Sequence, residues 1–381
     1  MHKQISAIAI CVSFLTLAPF STATFGQRTA PRNFHAGAVY VLTNQVENAV
    51  AVFHRSAQGT LTPAGEFPTG GAGDPGNPPI NDPLASQGAL ILSEGNQFLF
   101  AVDAGSNEIS VLKIQKDGLN IVDVVDSGGV RPISLTLHEN LLYVLNASGT
   151  PNITGFSVGN DGTLTPLADS TQPLIGGAAA DPAQIGFSSD GGLLVVTEKA
   201  GNRLNTYIID DNGLPSTPID NPSNGMTPFG FAFNNAGTLI VSEAFGGAPN
   251  QSAVSSYGAS EGGVLNVISG SVPDLQTAAC WVVTTNNGKF AFVSNTGSGS
   301  VSSYRVSGED GTITLVNSVA GDTGAASAPI DMALNNSSRF LYVLAGGSQS
   351  VASFRVERNG SLTLIDTDGG LPLGTQGIAA K

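Results

Sequence analysis

Apolar and polar positions alternate in short runs along most of the chain, with clusters of Gly, Asn, Asp and Ser between them, as in strands joined by tight turns. The runs repeat. The segment FLYVLAGGSQSVASFRV from Phe340 to Val356 superposes without a gap on FLFAVDAGSNEISVLKI from Phe98 and on FAFVSNTGSGSVSSYRV from Phe290. The same pattern starts again at Ala38, Leu141, Leu193 and Thr238, which makes seven copies. Each copy is followed by a glycine turn, at Gly59, Gly118, Gly162, Gly213, Gly262, Gly311 and Gly360, and by a further strand. Before each hairpin lies another strand opening on Pro or Gln, as in Pro132–Leu135, Pro182–Ile185, Pro228–Phe231 and Pro329–Met332. A repeat of about 45 to 60 residues thus supplies four strands, the content of one propeller blade.

A lone four-stranded sheet would leave two apolar faces wet and two edges unpaired, so sheets of this kind pack face to face, and a ring removes the ends. The fold class expected is therefore all-β, a seven-bladed β-propeller with four-stranded antiparallel blades. Closure is legible as well: Ala38 begins in the second strand of a blade, and Gln376–Ala380 supplies the missing first strand. A C-terminal strand then completes the first blade. The expected division is a signal peptide at 1–23, an N-terminal lead at 24–37 and one propeller at 38–381, which overrules the two or three domains that 381 residues would otherwise suggest. One connection departs from the repeat: Gly70–Ala85, GGAGDPGNPPINDPLA, is too rich in Pro, Gly and Asp to be a strand interior. It reads as a tolerated insertion between the first and second blades, ahead of a functional lid.

Composition changes the picture in three ways. With 12% charged residues and 41% hydrophobic ones the chain has material for a large core, and disorder is not expected. The net charge of −14 repels phosphate backbones and anionic membranes, so nucleic acid is excluded as a partner. Met1-His2-Lys3, an apolar run from Ile5 to about Phe20 and the small residues Ser21-Thr22-Ala23 form a secretory signal, with cleavage expected after Ala23 or, in the alternative, Gly26. No other segment approaches the roughly 20 apolar residues that span hydrocarbon, so the mature chain is expected to be secreted or periplasmic, without membrane insertion, and monomeric. Cys11 falls inside the signal, which leaves Cys280 alone, without a disulfide partner and most simply buried.

In this blade order the loops entering first strands and those joining second and third strands emerge on one face, around the channel. That face receives Asp103, Arg131, Asn146, Gln184, Glu198, Lys199, Phe229, Glu243, Cys280, Trp281, Asn295 and Asp331. A concave mouth lined by carboxylates, one or two cations and aromatics is the default site for a small molecule. Asp74, Asn77 and Asp82 could offer oxygens to a stray Ca²⁺, but no metal-loop spacing appears and zinc has no Cys and His cluster, so neither metal nor cofactor is expected.

The blades resemble those of the lactonase seven-bladed propeller family, which includes cytosolic 6-phosphogluconolactonases and fungal carboxymuconate lactonising enzymes, over nearly all of the mature chain. The runs Val196-Thr197-Glu198-Lys199, Ser242-Glu243-Ala244-Phe245-Gly246-Gly247, Ala279-Cys280-Trp281, Ser294–Gly299 and Pro329–Leu334 are similar to an exported bacterial subgroup. The resemblance implies a lactonase-like propeller that binds, and in its enzymatic form hydrolyses, a small cyclic or acidic organic molecule. The alternative is a non-catalytic interaction propeller. The lactonising members share a Pro-His pair opening a first strand. Here the residue after each opening one is Gly88, Ile133, Ala183, Phe229, Cys280, Ile330 or Gly377, and His35, His54 and His138 offer no substitute. Glu198 and Glu243, at equivalent points of adjacent repeats, are the carboxylates expected to activate water, with Lys199 or Arg131 stabilising an anion. Asp103, Asn146, Gln184, Phe229, Trp281, Asn295 and Asp331 are the expected ligand contacts. The competing reading makes Glu198 and Lys199 a rim ion pair and Glu243 a turn cap.

Overall fold

The computed structural model describes residues 35–381. Seven antiparallel sheets form the ring, and in six of them the strands follow chain order outward from the axis. Blades 2 to 7 open with inner strands Leu90–Leu92, Val130–His138, Pro182–Phe187, Pro228–Phe233, Ala279–Thr284 and Pro329–Leu334. Blade 1 takes its second to fourth strands from Gly37–Leu42, Ala49–Arg55 and Leu61–Pro68, and its inner strand from Ile378–Ala380. The closing register pairs Val39 with Ala380, Tyr40 with Ala379 and Val41 with Ile378. The amide of Gln376 extends it to the Leu42 carbonyl at 2.9 Å. No helix among the described residues is long and apolar enough to cross a membrane.

Why each repeat carries both an aromatic or aliphatic opener and a turn glycine becomes clear between blades. Gly162 of blade 3 lies on the Phe98 ring of blade 2, and Gly360 of blade 7 on the Phe290 ring of blade 6. In both cases an added Cβ would fall 2.6 Å from the ring, and the turn has φ of 94° and 87°, where only glycine is unstrained. In blade 5 this turn residue is Gly263, with φ of 74°, rather than the expected Gly262. The core lies in these interfaces, where Tyr143, Tyr207, Tyr257, Tyr304, Tyr342 and Trp281 are fully buried. Each buried ring contributes roughly 1.5–3 kcal/mol of apolar transfer, and the Tyr143 and Tyr342 hydroxyls donate to the Gly213 and Gly59 carbonyls.

The inner strands of blades 3 to 7 carry a β-bulge near their start, which leaves backbone groups unpaired by the ladder. Side chains of neighbouring strands take them up. The Ile185 amide donates to Ser134 Oγ at 3.2 Å, and that of Phe231 to Gln184 Oε1 at 2.7 Å. At the next step the corresponding residue of blade 5 is Gly230, which has no side chain. Gln87, from the end of the long 70–88 connection, reaches across instead: its Oε1 accepts the Val282 amide at 3.0 Å and its Nε2 donates to the Val282 carbonyl at 2.7 Å. A Cβ on Gly230 would lie 2.3 Å from that Oε1.

The connection is therefore neither a passive insertion nor a hinged lid. It is a plug. Ser86 Oγ donates to Ile133 O, the Gln87 amide donates to Ala183 O, and Trp281 Nε1 and Lys199 Nζ donate to Ser86 O and Ala85 O. These bonds tie the segment to blades 3, 4 and 6, and Gln376 Nε2, donating to Ser86 O at 3.3 Å, ties it to blade 1.

Candidate functional site

The residues expected at the mouth separate into two layers. Asp103, Asn146, Glu198, Glu243 and Asn295 lie at or near the end of the second strand in blades 2 to 6, and all five are fully buried. Each is met by polar groups of its own hairpin, of the connection entering its blade or, for Asp103, of blade 1 as well. Asp103 accepts Ser110 Oγ at 2.5 Å, Thr69 Oγ1 at 2.7 Å and Asn48 Nδ2 at 2.8 Å. Glu198 accepts Asn205 Nδ2 and the Gly176 amide. Glu243 accepts Ser255 Oγ at 2.5 Å, Ser271 Oγ at 2.6 Å and the Gly225 amide at 2.9 Å. Asn146 donates to the Ser127 carbonyl, and Asn295 to Ser302 Oγ. Through Thr69, Ser127, Gly176 and Gly225 the first four fasten the loop entering the blade to the hairpin beneath it, while Asn295 bonds within its own hairpin. Burial raises the carboxyls of Asp103 and Glu243, against the donors that lower them. Neither glutamate presents an oxygen to the channel.

The second layer does gather at the axis. Lys199, only 9% exposed, donates to Ala85 O at 3.0 Å and Pro182 O at 3.1 Å and meets Asp181 at 3.2 Å. Its ammonium stands 4.9 Å from the centroid of Phe229, whose ring lies 4.9 Å from that of Trp281. Arg131 holds the plug from outside, with Nε on Asp74 Oδ2 at 2.9 Å and a second nitrogen on the Pro83 carbonyl at 2.7 Å. The Cys280 thiol is buried and pushed up to about 12, which makes it inert as a nucleophile.

The residue that sequence reasoning left out of the site is Asp82. The plug carries it to the axis, half-buried, where Oδ1 accepts the Ala85 amide at 3.1 Å and the Gln376 side chain is within hydrogen-bonding reach. Burial pushes its carboxyl up to about 6, while the Lys199 charge pulls it back. Its signal was present, since an acidic residue in the one segment that escapes the repeat cannot be explained by the repeat.

Beneath the plug the channel holds a cavity of about 340 Å³. Gln87, Gln184 and Asp331 stand at its inner end, and Leu92, Leu137, Phe187 and Phe233 at its outer end. Gln184 is held in both directions by Phe231, and Asp331 accepts the Met332 amide at 2.8 Å while burial drives its carboxyl well above the usual range. Among the described residues no group of three or more His, Cys, Asp or Glu could hold a metal ion.

A family profile described as Lactonase, 7-bladed beta-propeller matches residues 15–173, 89–244 and 260–375. No curated protein matches the chain in sequence. Among solved structures, the chain is similar to the Pseudomonas aeruginosa periplasmic gluconolactonase, at 14% identity and a TM-score of 0.67 over 90% of this chain and 98% of that one. It is equally similar to a candidate 6-phosphogluconolactonase from Bacteroides uniformis, at 18% identity and a TM-score of 0.67 over 89% and 98%. A functionally unknown protein from Desulfotomaculum acetoxidans gives 15%, 0.67, 90% and 98%. At such identities the likeness is one of fold.

Proposed function

The chain belongs to the lactonase seven-bladed β-propeller family, and from that premise we propose that it binds a small lactone at the plugged mouth and hydrolyses it with water activated by Asp82. The observation that carries the reading is the Asp82 carboxyl, raised to about 6 and set near the Lys199 ammonium at the axis. A carboxylate of that basicity is ionised at neutral pH and takes a proton from water more readily than an ordinary aspartate. Water so activated adds to the lactone carbonyl, and the proton passes to Asp82 and then to the ring oxygen as the C–O bond breaks. Lys199 acts through its charge on the developing oxyanion, because its donors are already engaged. Export, supported by the N-terminal leader pattern, places this activity outside the cytoplasm.

A second reading, a binding propeller without turnover, is favoured by the locking of Glu198 and Glu243 inside their blades. A panel of lactones titrated against pH separates the two. Wild type should hydrolyse at least one member with a rate rising through pH about 6, and Asp82→Asn should lower kcat roughly 100-fold or more and erase that limb. Glu243→Gln should keep the limb. Absence of turnover across the panel leaves the second reading.

A further inference from the structure

Strand direction sorts the charges of the ring onto its two faces. Arg55, Lys113, Arg305 and Arg355 lie in the closing residues of third strands, and the remaining far-face cations sit in the turns beside them or at Lys381. Among the described residues the plugged face keeps three cations, Arg131, Lys199 and Arg203. Each already has acidic partners: Asp74 at 2.9 Å, Asp181 at 3.2 Å, and Asp220 at 3.0 Å with Glu198 at 3.9 Å. The same face exposes Glu47, Asp126, Asp181 and Asp322, and no α-helix among the described residues offers its N-terminus to an anion.

A phosphate brought to this mouth would leave its hydration shell, meet carboxylates, and find no ammonium or guanidinium free to replace the lost water. An uncharged lactone escapes that cost. It needs only hydrogen bonds and an apolar wall, and neither calls for a free cation. Resting on the reading of the mouth as a lactone site, we infer that it selects uncharged lactones and excludes phosphorylated ones.

The test compares D-glucono-δ-lactone with its 6-phosphate on the mature chain. The neutral substrate should be favoured in kcat/KM by about 100-fold or more at low salt, and the gap should narrow as salt screens exposed charges beyond about 10 Å at 0.1 M. Asp181→Asn keeps a residue tolerant of the left-handed backbone at φ 47° and releases one partner of Lys199. It should raise kcat/KM for the phosphorylated substrate several-fold more than for the neutral one, and an unchanged ratio between the two would count against the selection. Calorimetry with the non-hydrolysable glucono-δ-lactam and its 6-phosphate separates selection from chemistry. A lactam that binds more tightly than its phosphate, with the lactone left intact, upholds selection and removes the Asp82 mechanism. A phosphate handled as well as the neutral compound, in either assay, overturns the selection and leaves hydrolysis standing. Binding of neither lactam overturns both.

Discussion

Glu243 and Asp82 are both carboxyls that burial makes reluctant to ionise, yet one sits in a position found in five blades and the other on the one segment that follows no repeat. Glu243 is met by two hydroxyls and an amide, all from its own blade. Asp82 has one backbone amide and the neighbouring Gln376 side chain, and it remains partly exposed. A carboxylate whose acceptor sites are filled by its own fold is a fastener, whereas one with sites open beside a charge can still receive a proton from water. In a ring of similar sheets, a polar residue at a recurring position first serves the blade, and chemistry is better sought where the repeat is interrupted.

The plug and the blades can be set against each other by experiment. The largest effect should come from the blades. Removing Gln376–Lys381 deletes the inner strand of blade 1, exposes the free edge of Gly37–Leu42 and opens the ring. Near-ultraviolet circular dichroism should show no native signal for the truncated chain. A cooperative transition near the wild-type midpoint would mean that the ring holds without its clasp.

Next comes the plug. Gln87→Ala leaves the Val282 amide and carbonyl without their partner in a buried setting, at a cost of about 2–4 kcal/mol. Gln184→Ala strips the same pair of bonds from Phe231 within the repeat and should cost about as much. The distinction lies in function. Gln87→Ala should also lower lactone turnover by loosening the segment that carries Asp82, while Gln184→Ala should not. Urea unfolding beside the lactone assay reads both, and equal loss of turnover in the two variants would dissolve the distinction.

Much of this was legible in the sequence. Seven superposable hairpins and the orphan strand at Gln376–Ala380 led to the ring and its closure, because alternation and turn glycines are local signals that each blade repeats. The site was less legible for a physical reason. Repetition identifies the residue at the end of each second strand but not which way it faces, and the series Asp103, Asn146, Glu198, Glu243, Asn295 turned into the blades instead of the channel. A reaction needs one base, not five, so a polar column running through five blades was itself a sign of structure. The plug was legible only as an irregularity, since its path across the axis is set by partners as remote as Val282 and Gln376. Gly230 was the complementary clue: a glycine where neighbouring blades carry Ser134 and Gln184 marks space that another segment fills.

The smallest effect concerns the buried acids, and its sign follows from their direction of shift. Asp274 is fully buried beneath the Ser302 hydroxyl and the Gln276 amide, and burial lifts its carboxyl from 3.8 to about 6. Between those two values the folded chain keeps a proton that the unfolded chain has released, so stability falls as pH rises through the interval and levels off above it. Exposed acids such as Asp190 and Asp310, lowered by neighbouring hydroxyls and amides, act in the opposite sense and weaken the fold only below about pH 4. Stability should therefore peak near pH 4, with Asp274 contributing on the order of 1 kcal/mol of the loss between pH 5 and 7.5. Relief of general repulsion in a chain of net charge −14 would push the same way. The two causes differ in reach: salt at pH 7.5 screens repulsion among exposed charges but not the burial of Asp274. Asp274→Asn should thus flatten the pH dependence of the urea midpoint at high salt, and an unchanged slope there would exclude Asp274 as its source and leave other burial-raised carboxyls such as Asp82 and Asp368.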